Sequence, residues 1–447
     1  MCAGTLAVAV AFAYERTAFV DLALHLYDAV TSGITIRNYR FVSAITQSVP
    51  VGLFAVRAPI EVVQLGYSLA FPTLYAAAWA TAHFALRARG WALAWVLMWG
   101  AFATHTHYWI QSELPQGLAL FVVALGLIGY RASGGGRRAL AGALQVALLV
   151  TAAFAHPLLV VPATFAFGLS LLLDWSRRRT VAAAAAAYYA AYAVRARFFA
   201  TPYDESAGHF ADGFGTVTRG DFPPSVWRFV YDLGTDYYLF AAIVLLGPLL
   251  LWRSGAKLAA VWTLAAVGGH CGLVTLSYPT LATEVFYLEN LLLPAGFMAG
   301  AGLAFGWERA SGFGVSRPIA LAVLAAFALR MVDVYWLGCT TFRERRERLE
   351  ALVDRYRGEK VVIPATDALE RELIMTWAVS YEAWLVSARR REPTTGVLVV
   401  EDPEAHHWRA GEAERLSLLW HRDRYDELPE AYFGDPGGAY RVVERAD

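Results

Sequence analysis

From Arg137 to Arg179 the chain reads RRALAGALQVALLVTAAFAHPLLVVPATFAFGLSLLLDWSRRR. Between Arg138 and Asp174 lie 35 residues without one Asp, Glu, Lys or Arg. Apolar runs of about 17–25 residues are what a bilayer-crossing helix needs. The stretch therefore reads as two spans, 139–155 and 157–174, meeting at His156, with arginines at both far ends.

The same signal recurs along most of the chain. Further spans are expected near residues 1–14, 61–86, 91–109, 116–131, 180–195, 237–252, 257–276, 288–307 and 318–337, about eleven in all. The first is 14 residues long, about 21 Å as a helix, so the true first helix is expected to begin upstream of Met1. Composition agrees. The 447 residues are 57% hydrophobic and 17% charged, with a mean hydropathy of +0.41. A soluble domain carries roughly 25% charged residues. A soluble enzyme with one anchor, a disordered protein and a nucleic-acid binder are all excluded. The net charge of +0 leaves no basic footprint for DNA or RNA. Three scattered cysteines make no disulfide framework.

Charge sets the expected orientation. Arg87/Arg89, Arg131/Arg137/Arg138, Arg177/Arg178/Arg179, Arg253/Lys257 and Arg309/Arg317 fall on alternate loops, which the positive-inside rule makes cytoplasmic. The N-terminus is then inside. Of the 16 acids before residue 341, only Asp174 and Glu308 lie on that side, and the other 22 of the 38 follow Thr340. The fold expected is an all-α polytopic membrane body, 1–337, followed by a small soluble α/β domain, 338–447, on the outer side. Two long outer loops, 15–60 and 195–238, interrupt the body; Pro202, Gly208, Gly213, Gly215, Pro223 and Pro224 break the second. In the C-terminal part, Thr341–Arg357 and Asp367–Arg389 read as helices. Lys360–Pro364, Gly396–Glu401 and Tyr440–Val443 read as strands.

The first outer loop carries the most chemistry. Asp21, His25 and Asp28 are spaced i, i+4, i+7 and share one helical face. A carboxylate just outside a first span suits a general base or a metal ligand; the alternative is a solvated face on a helix lying along the membrane surface. His105 and His107 end the third span, with Glu113 shortly after. At i, i+2 the two histidines point to different helix faces, so joint metal binding requires broken helix. Arg330 and Asp333, at i, i+3 in the last span, read as a structural ion pair. Trp109 reads as packing, and Trp227, Tyr231, Tyr237 and Tyr238 as candidate platforms for a sugar.

The order of a first span, then Asp21-Leu22, Gly33 and Asn38-Tyr39-Arg40, resembles the GT-C superfamily. These are multi-pass glycosyltransferases that use polyprenyl-phosphate-linked sugars. The motif is similar to the first-loop motif of the dolichol-phosphate-mannose and aminoarabinose transferase branch. Leu22 stands where that branch often has a second acid. The family's arginine before a late Leu-Leu-Pro is also absent from Tyr287-Leu288-Glu289-Asn290 and the run to Pro294. The resemblance implies catalytic roles for Asp21 and Glu113, lipid-phosphate contacts for Arg37 and Arg40, and substrate contacts for His25, Asp28, His105 and His107. Arg195, Arg197, Arg219 and Arg228 are further phosphate candidates. It implies a bacterial inner membrane, a polyprenyl-phosphate sugar as donor and an unnamed acceptor. A divalent cation, Mg²⁺ or Mn²⁺, is compatible with it but not required. The rival functions are a non-catalytic membrane assembly or scaffold protein and, behind it, a transporter of a lipid-linked substrate. Few charges at mid-membrane depth stand against the transporter.

Overall fold

A computed structural model describes residues 2–130, 135–202, 210–278, 285–314, 316–403, 415–417 and 424–443. Arg131, Gly208 and His209 lie outside these residues. The chain is mostly helical. From the N-terminus come α1 (Cys2–Ala11), α2 (Ala13–Thr17), α3 (Asp21–Thr31), α4 (Ser43–Ala55), α5 (Ile60–Ala80), α6 (Arg89–Ala101), α7 (Glu113–Gly129), α8 (Gly135–Ala155), α9 (Val160–Leu173) and α10 (Arg178–Phe198). Then follow α11 (Phe210–Thr218), α12 (Pro224–Gly234), α13 (Tyr238–Arg253), α14 (Lys257–Ser277), α15 (Val285–Ser311) and α16 (Arg317–Leu337).

Each expected span coincides with a helix, but length and apolarity qualify fewer of them. Among the described residues, α8, α14, α15 and the continuous helix Arg317–Arg355 are long and apolar enough to cross a bilayer. Two bent pairs raise the number to six: Pro157–Leu173 with Trp175–Phe198, bent by 116°, and α12 with α13, bent by 84°. The shortfall from eleven has local causes. Helices α1, α6 and α7 run for only 10, 13 and 17 residues. Helix α5 reaches 21 residues, yet it buries Gln64, Tyr67, Ser68 and Tyr75, which lower its hydropathy.

Helix α15 is the centre of the bundle and is 89% buried over its apolar window, whereas that of Arg317–Arg355 is 11% buried. Close packing there depends on glycine. A Cβ on Gly300 would meet Ala94 O at 2.9 Å, and one on Gly306 would meet Gly247 O at 3.1 Å. Small residues let apolar helices approach this closely. The outer faces of α8, α13, α14 and α16 expose Leu140, Leu245, Leu258 and Leu321. Apolar sides this extensive suit helices that could lie in a bilayer.

The C-terminal part has the three expected strands. Strands β1 (Lys360–Pro364), β2 (Gly396–Val400) and β3 (Arg441–Val442) form a parallel sheet in the order β2-β1-β3. Parallel pairing needs a crossover, supplied by α18 (Asp367–Leu373) and α19 (Val379–Arg390), with α17 (Arg343–Arg355) leading into β1. The single helix expected over 367–389 is thus two, because Ile374 turns into the left-handed region (φ +64°).

This unit packs against the loop 15–60. Tyr27 of α3 meets Tyr381, Trp384 and Phe433 edge-on, with centroids 5.0–6.0 Å apart. Helix α3 is therefore covered: Leu22, Leu24, Leu26 and Asp28 are all buried. Of the face shared by Asp21, His25 and Asp28, Asp28 is buried and the other two are half-buried. A buried ion pair anchors the contact. Arg345 donates from Nη2 to both Glu382 oxygens at 2.7 and 2.8 Å, and from Nη1 to Ala18 O at 3.1 Å. Glu382 Oε1 also accepts the Val20 N–H at 2.7 Å.

Breaking one side of such a pair strands a buried charge, at a cost of about 3–5 kcal/mol. Arg345→Met is therefore expected to lower unfolding stability in detergent by about that amount, and Arg345→Met/Glu382→Met to recover at least half of the loss. A single variant that unfolds like wild type would contradict the assignment.

Candidate functional site

The site begins at Val20, a β-branched residue held at φ +36°, a sparsely allowed value that needs an outside partner. Glu382 is that partner, and the next residue, Asp21, opens α3. After α3 the chain turns through Gly33 (φ +79°), Asn38 and Tyr39 (φ +50° and +57°). A mutual contact between Thr35 and Gln47 fixes this turn: the Thr35 N–H donates to Oε1 at 2.8 Å, and Nε2 donates back to Thr35 O at 3.1 Å. The turn returns two arginines to the acids. Arg37 Nη2 donates to Asp28 Oδ2 at 2.9 Å, and Arg40 Nη1 to Glu113 Oε2 at 3.0 Å.

Glu113 arrives from a different element. Ser112 caps α7 by accepting the Leu114 N–H at 3.3 Å, which puts Glu113 in the first turn. Gln116 donates to Gln111 O at 2.9 Å and accepts from Thr46, fixing the segment before the helix. From this segment Trp109 Nε1 and Gln111 Nε2 donate to Asp21 Oδ2 at 3.1 and 2.8 Å. Trp109 is thus a partner of the candidate base, not packing alone. His25 Nδ1 lies 3.1 Å from the Tyr67 hydroxyl.

Asp21, His25, Asp28, Arg37, Arg40 and Glu113 therefore gather at one end of the bundle. The electrostatics separate their roles. Asp28 and Glu113 are each neutralised by an arginine. Asp21 makes no ion pair among the described residues, and its hydrogen bonds come from neutral donors. Burial pushes its carboxyl up to about 6; the nearby Glu113 charge adds to this, while the Trp109 hydrogen bond and Arg37 oppose it. Burial also lowers His25 to about 4, so the imidazole is neutral near pH 7.

The two other histidines lie elsewhere. The helix is indeed broken there, yet the rings part. His105 donates its backbone N–H to Glu289 Oε2 at 3.1 Å and places Nδ1 3.3 Å from it. Glu289 also takes the Thr104 and Thr106 N–H groups at 2.8 Å each, Thr106 Oγ1 at 2.6 Å and the Tyr237 hydroxyl at 3.3 Å. This buried carboxylate ends α6 and fixes the 104–106 turn. His107 is buried with neither ring nitrogen hydrogen-bonded among the described residues. Tyr237 is core, stacked on Phe102 at 4.6 Å. Arg330 and Asp333 do not pair: Arg330 donates to Phe102 O at 3.0 Å and to Thr104 Oγ1, and Asp333 accepts from Tyr238 at 3.0 Å. Arg228 is held by Asp232 at 2.9 Å.

No three His, Cys, Asp or Glu among the described residues stand close enough to hold a metal ion. Asp21 Oδ2 is occupied by two N–H donors and Glu113 Oε2 by a guanidinium. These do not fit the oxygen shell that Mg²⁺ or Mn²⁺ requires.

Compared with models of protein families, with curated proteins and with solved structures, the chain matches none.

A raised carboxyl leaves a thermodynamic mark. The folded protein holds the Asp21 proton more tightly than the unfolded chain, so this contribution to stability is full below about pH 4 and lost as pH rises through about 6. The unfolding midpoint of wild type is expected to fall over that window relative to Asp21→Asn, which cannot ionise. Parallel curves would count against the environment described.

Proposed function

We propose that the chain is a GT-C type glycosyltransferase, moving a sugar from a polyprenyl-phosphate carrier to an acceptor hydroxyl at the outer face of a membrane. In this reading each of the eleven apolar stretches crosses the bilayer, the N-terminus is cytoplasmic, and the C-terminal unit is extracytoplasmic. One observation carries it: of the three acids gathered at the end of the bundle, Asp21 alone is held by neutral donors beside two arginines. A base must accept a proton near neutral pH, and a carboxyl raised to about 6 is better suited to that than an ordinary aspartate.

The step then follows. The acceptor hydroxyl gives its proton to the Asp21 carboxylate while its oxygen forms a bond to the anomeric carbon. The bond from that carbon to the phosphate oxygen breaks, and polyprenyl phosphate leaves with the electron pair. Arg37 and Arg40 meet the phosphate charge, since guanidinium groups pair phosphate oxygens in a planar fork. Asp28 and Glu113 hold those two side chains in place beforehand. His25 stays neutral and orients polar groups beside Tyr67.

The paired state of Asp28 and Glu113 is also what a purely structural network would show, so the scaffold reading is the outcome to be tested against. Purified full-length protein should transfer sugar from a labelled polyprenyl-phosphate donor, and Asp21→Asn should lower the rate at least about 100-fold at unchanged abundance. Undiminished transfer by Asp21→Asn would overturn the assignment of the base. Wild type inert with every donor and acceptor pair would favour the scaffold.

A further inference from the structure

The opposite end of the bundle holds a second site. Helix α7 carries Glu113 in its first turn and Gly129 at its last residue, about 24 Å apart along the axis. Around Gly129 opens a cavity of about 760 Å³. Its charged lining is Arg87, Arg89, Arg177 and Arg309 against Asp174 and Glu308. These are the only two acids of residues 1–340 that the arginine pattern places on this side. Arg177 is bound to Asp174 at 2.9 Å. Arg89, Arg177 and Arg309 all act on the single carboxylate Glu308. Arg87, Arg89 and Arg309 make no ion pair within 4 Å among the described residues, so positive charge is in excess.

Aromatic and aliphatic side chains back these charges. Trp91 and Phe305 face each other edge-on at 4.8 Å, with Leu125 and Leu169 beside them. Beyond the cavity, Leu172 and Trp175 are exposed. An arginine-rich rim backed by two aromatic rings, beside exposed apolar helix ends, matches an amphiphile with a phosphate head. A free phosphate ion would have no use for the aromatic backing. Basic pockets between membrane helices bind anionic headgroups for this reason. We propose that this cavity is a binding site for an anionic phospholipid, its phosphate met by Arg87, Arg89 and Arg309 and its chain lying against Trp91 and Phe305. The site stands apart from the Asp21 cluster and does not depend on the function assigned there.

The test uses the full chain in nonionic detergent, with lipid retention read by native mass spectrometry. Dioleoyl phosphatidic acid should bind at least about tenfold more tightly than dioleoyl phosphatidylcholine. Arg87→Gln/Arg309→Gln should reduce phosphatidic acid binding at least about tenfold, whereas Arg87→Lys/Arg309→Lys should keep it within about threefold. The lysine pair separates loss of charge from loss of fold. Equal retention of the two lipids, or phosphatidic acid binding unchanged in the glutamine pair, would overturn the proposal. Displacement by inorganic phosphate at matching concentration would also overturn it, in favour of a free-anion site.

Discussion

Everything at the Asp21 end of the molecule hangs on one buried carboxylate in the C-terminal unit. Glu382 has two partners of different origin, the Arg345 guanidinium and the Val20 N–H. The first is its own charge balance, without which the carboxylate could not stay buried. The second reaches across the chain to a residue 362 positions away. Val20 sits in a backbone region that a valine adopts only under constraint. Because α3 starts at the next residue, the direction in which Asp21 leaves the chain is set by a contact outside the helical body. The C-terminal unit is therefore part of the site's construction.

Two acids in the body show how environment divides labour between like groups. Glu289 receives three backbone N–H groups, a hydroxyl of Thr106 and that of Tyr237. A carboxylate so saturated with donors is committed to holding the backbone in place. It ends a helix and fixes a turn. Asp21 has only two neutral donors on one oxygen, and burial works against its charge. The chemistry proposed for the chain follows from that contrast.

Much of this was legible in the residues, and the failures have physical causes. Spacing placed Asp21, His25 and Asp28 on one helix, and the family resemblance marked Arg37, Arg40 and Glu113; the structure brings all six together. The strands at 360–364 and 396–400 were readable from continuous β-branched and apolar runs. Long-range partners were not readable. Nothing local in Trp109 or Gln111 says that they meet a side chain 88 and 90 residues away. Glu289 did carry a signal, an acid within an apolar run, which in membranes is a functional or structural group by default. His105 and His107 were expected to point to different helix faces, and they part: Glu289 captures the first, and the second stays in the core. Fewer crossings qualify by helix length and apolarity than the hydropathy pattern suggests, because hydropathy windows run through helix breaks such as that at Phe102–Thr104.

In the proposed transfer Asp21 is the proton acceptor, tuned by the indole of Trp109. The most direct test is the pH dependence of transfer in wild type and in Trp109→Phe. Removing the indole takes away a hydrogen bond that favours the carboxylate, so the pKa must rise further. The account predicts a rate that climbs with pH through about 6 in wild type, with the same limb displaced to higher pH in Trp109→Phe. A limb at the same pH in both proteins, or a rate flat across this range, would contradict it.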